Sequence, residues 1–272
     1  TCGATAGQVA VSMGEASDIT TWYEPVPNPG PSQLWNAMIH PLLNFRFTGS
    51  TWYQGEANAG NPVSYACRFP AMIADWRKKF DLPKMSFLFV QLAALEHANF
   101  AAIRDAQMAA LKLPLVGYAT AIDLGDPTSP AGAIHPRRKF EVGRRLAAAA
   151  AHMQYGLKDT GVGPVWGAMV RTEDHGLHVT FSNAEGLHSH PTAACNETKS
   201  KLCCAESPFE VQVAGTWKRV PAWTLDGPTS VLLGGDQGRG EPSLDLSNAT
   251  SLRFLWEGYP QCTLYNGRGG AD

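Results

Sequence analysis

Two short blocks of this chain could do chemistry together. Trp52-Tyr53-Gln54-Gly55-Glu56-Ala57-Asn58 closes a strand-like run, and Ile134-His135-Pro136-Arg137-Arg138-Lys139 opens a helix-like one. In the first block Gly55 lets the backbone approach a substrate, and the amides of Gln54 and Asn58 can donate hydrogen bonds to a developing oxyanion. In the second, His135 can serve as a general base near neutral pH, with Glu56 as a carboxylate able to orient it. A site that cleaves esters through a covalent intermediate also needs a nucleophile on a tight strand-to-helix turn. No serine stands in that context. The nearest look-alike, Ser12 in Val9-Ala10-Val11-Ser12-Met13-Gly14, follows no convincing strand.

Other histidines carry less. Asp174-His175-Gly176-Leu177-His178 falls in an alternating strand and has the wrong spacing for an esterase end block. His188-Ser189-His190, beside Cys195, has no matching Cys/His pair at a zinc-like distance and reads as surface loop. His40 precedes Pro41 at the end of an apolar run and reads as structural. No metal or cofactor is expected.

The elements that must position these blocks alternate. After an irregular stretch over residues 1–33, punctuated by Pro25, Pro27, Pro29 and Pro31, order begins at Leu34. Phe45 to Tyr53 reads as strand. Val63 to Phe80 reads as helix, with Val63, Ala66, Phe69, Ile73, Trp76 and Phe80 on one face. Phe87 to Leu92 is an apolar run suited to a strand covered on both sides. Ile103 to Leu113 is helical, Leu115 to Leu124 strand-like, and Lys139 to Leu157 helical. Three strands separated by helices imply a parallel sheet, whose ligand sites lie beyond the carboxyl ends of the strands. Gln54 follows the first strand and His135 the loop after the third, so both blocks meet at one sheet edge.

Past Gly161 the helical period disappears. Val165 to Val170, Leu177 to Phe181, Phe209 to Val213, Trp217 to Trp223, Ser230 to Leu233 and Ser251 to Trp256 are short strand candidates between turn residues. The expected organisation is an α/β domain over residues 1–160 and a smaller antiparallel β domain over 161–272, with Thr160 to Pro164 as the linker.

Composition narrows the partners. The chain has 272 residues, 17% charged, with a formal net charge of −2, so no field exists to hold nucleic acid or an anionic membrane. No apolar run approaches the roughly 20 residues of a membrane span. The opening Thr1-Cys2-Gly3-Ala4 reads as an internal cut, from processing or an incomplete gene product. Six cysteines, Cys2, Cys67, Cys195, Cys203, Cys204 and Cys262, accompany the sequons Asn196-Glu197-Thr198 and Asn248-Ala249-Thr250. Together they favour an oxidising compartment, with disulfides concentrated in the C-terminal half.

The residues that carry a family likeness are Leu34-Trp35-Asn36-Ala37-Met38-Ile39-His40-Pro41, the block from Trp52 to Asn58, Asp123-Leu124, Ile134-His135-Pro136-x-x-Lys139 and Arg145-Leu146. The chain resembles the sialate O-acetylesterases, which are SGNH-type esterases, from about Leu34 through Cys262-Thr263-Leu264-Tyr265. Cys67, Cys203 and Cys204 also fall in family-like positions. The resemblance implies a three-layer, flavodoxin-like parallel sheet followed by a β domain, and removal of acetyl groups from sialic acid hydroxyls. It also implies a secretory, lysosomal or extracellular address. The family's Gly-Gln-Ser-Asn nucleophile block and its first glycine oxyanion block are absent, so the resemblance implies a sheet incomplete at its N-terminal side. The serine would come from a missing segment or a separate N-terminal chain. Many relatives in the wider superfamily carry Asp three residues before the histidine, where this chain has Gly132. The third triad member is then Glu56, Asp123 or Asp126, or the site works as a Ser-His dyad. A catalytically silent carbohydrate-binding protein is the second reading.

Overall fold

Parallel strands form the spine of the first half. In the computed structural model, which describes residues 32–96, 100–191, 207–234 and 244–267, β1 (Gly49–Trp52), β2 (Ser86–Gln91) and β3 (Val116–Thr120) pair in the order β1-β2-β3, all parallel. The crossovers are α1 (Pro62–Lys79), and α2 (Phe100–Met108) continued by a 3-10 turn over Ala109–Lys112; α3 (Lys139–Tyr155) follows β3. Ser12, Cys2, Cys195, Cys203, Cys204, the Asn196 sequon and the proline-rich opening lie outside the described residues.

β2 is apolar throughout because both its faces are covered. Phe87 and Phe89 pack with Phe69 and Ile73 of α1 and Ile103 of α2 on one side. On the other, Val90 joins Ala121 and Val142 of α3. Helix α1 begins at a defined point: Asn61 Oδ1 accepts from the Ser64 N–H at 3.1 Å and Pro62 occupies the first turn. Its buried stripe is Tyr65, Phe69, Ile73 and Arg77, one residue every four. The face expected from the sequence included Val63, which is instead 83% exposed, because Tyr65 rather than Val63 turns toward the sheet. β1 is also shorter than expected, since the chain before Thr48 is turned back by the Phe45 N–H to Leu42 C=O bond (2.9 Å). Helix α3 ends where Gly156 adopts φ 67° and its N–H caps the His152 carbonyl.

The second half is antiparallel. β4 (Val165–Arg171), β5 (Leu177–Ser182), β6 (His188–Pro191), β7 (Phe209–Val213), β8 (Thr216–Arg219), β9 (Trp223–Leu225), β10 (Ser230–Leu233), β11 (Ala249–Phe254) and β12 (Cys262–Tyr265) form sheets ordered β4-β5-β10-β9, β11-β7-β8 and β12-β6. Their inner faces share a core around Leu177, Val179, Phe209, Val211, Val231 and Leu233. Two expectations are corrected. Trp217 to Trp223 is not one strand: β8 and β9 belong to different sheets, and Pro221 between them has no N–H for a ladder. His188-Ser189-His190 is not a loop but β6, paired residue for residue with β12. Its polar side chains gave no alternating apolar signal, and the pairing partner is distant in sequence.

Among the described residues neither cysteine is a free thiol; Cys67 on α1 and Cys262 on β12 are disulfide-bonded. Bridging therefore also reaches the α/β half, beyond the C-terminal half where the sequence concentrated it. No described helix is long and apolar enough to cross a membrane.

Candidate active site

The first block sits where expected, at the carboxyl end of β1. Its loop is fixed by buried polar groups from α1 and α2. Gln107, fully buried on α2, donates through Nε2 to the carbonyls of Gln54 (3.2 Å) and Val90 (2.9 Å) and accepts from the Leu92 N–H at 3.1 Å. It thereby ties the loop after β1 to the end of β2. Gly55 is buried at φ +147°, a conformation that favours glycine, and a Cβ there would meet Leu92 Cδ1 at 3.2 Å and Gln107 Nε2 at 3.4 Å. The tight packing explains the residue type.

The amides are oriented by a relay. Tyr65 Oη lies 3.2 Å from Gln54 Oε1 and 3.3 Å from the Gln54 carbonyl, and Gln54 Nε2 donates to Asn58 Oδ1 at 2.7 Å. Burial, with Glu56 adding to it, pushes the Tyr65 phenol up to about 12, so it remains a donor at neutral pH. A donor at Tyr65 fixes Oε1 of Gln54 as acceptor, hence Nε2 as donor and Oδ1 of Asn58 as acceptor. Asn58 Nδ2 is then left with both N–H groups unengaged among the described residues, and the Gly55 N–H is likewise without an acceptor. Two preorganised donors at one strand end can hold an oxyanion.

His135 is exposed at the far side of the loop leaving β3. That loop is a series of turns, Ser129 N–H to Asp126 C=O, Gly132 N–H to Ser129 C=O and His135 N–H to Gly132 C=O, at 3.2, 3.0 and 2.9 Å. Gly132 takes φ +90°, so an aspartate three residues before the histidine would be strained in this loop. The loop's two ends are clamped. Asp126 accepts from Arg137 Nε (2.6 Å), Nη2 (2.9 Å) and the Arg137 backbone N–H (3.1 Å), and the Arg137 hydrogen bonds hold its carboxyl well below the usual carboxylate range. Ser129 Oγ donates to the His135 carbonyl at 2.6 Å. Among the described residues no serine hydroxyl reaches the imidazole, and neither does any of the three proposed carboxylates.

Those carboxylates have other work. Asp123, 5% exposed, accepts from Arg145 Nη1 (2.7 Å) and Nη2 (2.8 Å) and from the Tyr265 hydroxyl (3.0 Å). Arg145 also donates to the Thr120 carbonyl and to Glu141, each at 2.8 Å, so this cluster pins the end of β3. Asp126 braces the histidine loop. Among the described residues the Glu56 carboxylate alone of the three has no hydrogen-bond donor; it lies near Tyr53 and Lys139. Burial lowers the Lys139 ammonium while Glu56 opposes the shift, and Lys139 Nζ sits 4.2 Å from the Tyr53 ring centroid. Lys139 opens α3, four residues after His135, so the two blocks do adjoin at one edge of the sheet.

Sequence reasoning missed Tyr65, Gln107 and Tyr265. A glutamine within the alanine-rich α2 is the one local sign that Gln107 is buried for a purpose. Tyr265 had no local signal; β12 carries it back to Asp123 through the tertiary fold. The C-terminal half also reaches the strand ends through Leu95 N–H to Gly258 C=O (2.9 Å), and Arg104 donates to the Glu257 and Gly258 carbonyls.

The model of carbohydrate esterases described as sialic acid-specific acetylesterases matches residues 2–152. The chain belongs to that family. Sialate O-acetylesterase of Mus musculus is 33% identical over 260 residues, covering 86% of this chain and 45% of the mouse protein. That of Rattus norvegicus is 33% identical over 269 residues, 89% of this chain and 46% of the rat protein. The crystal structure of a carbohydrate acetylesterase from Xanthomonas citri superposes with a TM-score of 0.67 at 29% identity, covering 86% of this chain and 51% of that one. This acetylesterase family member thus spans about half the length of the curated relatives it matches.

Proposed function

We propose that this chain supplies the base and oxyanion donors of a serine esterase that removes O-acetyl groups from sialic acids, the serine coming from a segment or chain outside it. The observation that carries this reading is a pair of donors at the sheet edge where the His135 loop ends, Asn58 Nδ2, oriented by the Tyr65–Gln54–Asn58 relay, and the Gly55 N–H, neither of which has an acceptor among the described residues. In the reaction, the serine hydroxyl attacks the acetyl carbonyl as His135 takes its proton, and the two donors hold the oxyanion. Collapse of the tetrahedral intermediate expels the sugar oxygen, which recovers the proton from His135. Water activated by His135 then releases acetate. Loss of one oxyanion donor costs roughly 10²–10³ in turnover.

Asp123 and Asp126 are held by arginines, which leaves Glu56 as the candidate partner of His135, or the site as a dyad. An added parallel strand carrying the serine would pair with the outer edge of β1, one of the two edges of this sheet that no described strand covers. The exposed Asn248 beside β11 and the bonded state of Cys67 and Cys262 support a secretory, lysosomal or extracellular setting.

The test is hydrolysis of O-acetylated sialic acid by the isolated chain and by the native protein, with intact mass and N-terminal sequencing of the latter. The chain alone is expected to be inactive, and the native protein active and labelled by a serine-directed phosphonate on a segment outside this sequence. Labelling of a serine within this chain, with robust turnover, would refute the split site. A native protein that binds acetylated sugars without hydrolysing them would favour the silent carbohydrate-binding reading. In the active protein His135→Ala should lower kcat by about 10²–10⁴-fold or more, and Glu56→Gln by less.

A further inference from the structure

The β-rich half carries a second place suited to sugars. On the outer face of the β11-β7-β8 sheet, opposite its core, Arg253 of β11, Glu210 of β7 and Arg219 of β8 form one cross-strand row. The Arg253 guanidinium carbon lies 4.2 Å from the centroid of the Trp217 ring and 5.1 Å from that of Trp256. Its Nε donates to Glu210 Oε2 at 2.8 Å, and both side chains remain 21% accessible. Among the described residues Nη1 and Nη2 have no acceptor. A planar fork has therefore been set in place by two indoles and a carboxylate while its terminal donors stay unused.

That combination has a definite ligand chemistry. A free guanidinium fork matches a carboxylate in bidentate geometry. An indole offers a flat apolar surface to the C–H face of a pyranose. The Arg253 fork presents only N–H donors, so an anionic acceptor is favoured over a neutral ligand. Trp256 immediately precedes Glu257 and Gly258, whose carbonyls take Arg104 at the strand ends of the α/β half. Trp256 therefore adjoins in sequence the segment that meets the α/β half.

We propose that Arg253, Trp217 and Trp256 form a binding site for a carboxylate-bearing sugar of a glycan, the carboxylate on the Arg253 fork and the ring against an indole. The site holds a glycan by its acidic sugar, apart from any chemistry at the strand ends. It shares the substrate class of the proposed activity but is read by binding alone.

The experiment is NMR titration of the whole chain with α2,3-sialyllactose and, separately, with lactose. The acidic trisaccharide should bind with a dissociation constant on the order of 1 mM, and lactose at least tenfold more weakly. Trp217→Ala and Arg253→Lys should each weaken sialyllactose at least fivefold; Trp217→Phe, which keeps a ring, should retain most of the affinity and controls for misfolding. Shifts of the Trp217 and Trp256 indole N–H signals report this site alone, which separates failure of the platform from failure of the esterase reading. Absence of binding at 10-fold the expected constant, equal affinity for lactose, or undiminished affinity in both Trp217→Ala and Arg253→Lys would overturn the proposal.

Discussion

Replacing Arg145 by methionine isolates the role of Asp123. In the native fold the Asp123 side chain is 6% accessible and accepts three hydrogen bonds, at 2.7 and 2.8 Å from Arg145 and 3.0 Å from Tyr265. Arg145→Met leaves that carboxylate buried with one neutral donor; it also frees the Thr120 carbonyl, while Glu141 keeps Arg144. Breaking a buried pair on one side costs about 3–5 kcal/mol, roughly 6–20 °C in Tm for a chain near this size. Tyr265→Phe removes one bond to a charged group and should cost about 1.5–3 kcal/mol. The double variant Arg145→Met/Asp123→Leu should be more stable than Arg145→Met alone, because no unpaired charge is left inside. Urea unfolding with an unchanged m-value measures all of these. A loss below about 1 kcal/mol for Arg145→Met, with Tyr265→Phe silent, would refute the brace. So would an Asp123→Asn variant of the active enzyme that loses turnover at native stability, which would make Asp123 the histidine's partner instead.

Other outcomes follow from the same geometry. Gln107→Leu should destabilise by about 2–5 kcal/mol, since it orphans the Gln54 and Val90 carbonyls and the Leu92 N–H, and in the active enzyme it should lower kcat by displacing the oxyanion loop; a stable variant with native turnover would dismiss that clamp. Gly55→Ala should cost about 1–3 kcal/mol from backbone strain at φ +147° and contact with Leu92, and an unchanged unfolding midpoint would count against the loop geometry. Glu141 is held down to about 2, chiefly by its hydrogen bond to Arg144 and despite opposing burial. Its folded value lies below its unfolded one, so its contribution is present above about pH 4.5 and is lost as pH falls through about 2. Glu141→Gln should flatten that part of the acid limb of the unfolding profile; an unaltered limb would contradict the assignment.

The sequence by itself settled what depends on local pattern. The apolar run of β2, the helical period of α1 and the Pro/Gly-bounded block at His135 are near-neighbour signals, and they placed both candidate blocks at one sheet edge. The limits of β7 and β10 were legible because alternation and turn residues act over a few positions. Which polar group meets which was decided by the tertiary structure. Asp123, Asp126 and Glu56 are equivalent carboxylates in a string of letters. Arg145 approaches Asp123 because α3 packs against β3, and Tyr265 reaches it because β12 returns to the strand ends. Arg137 takes Asp126 because the loop between them closes on itself. Each choice rests on long-range packing that brings a donor to a buried carboxylate, and only the folded chain fixes that distance.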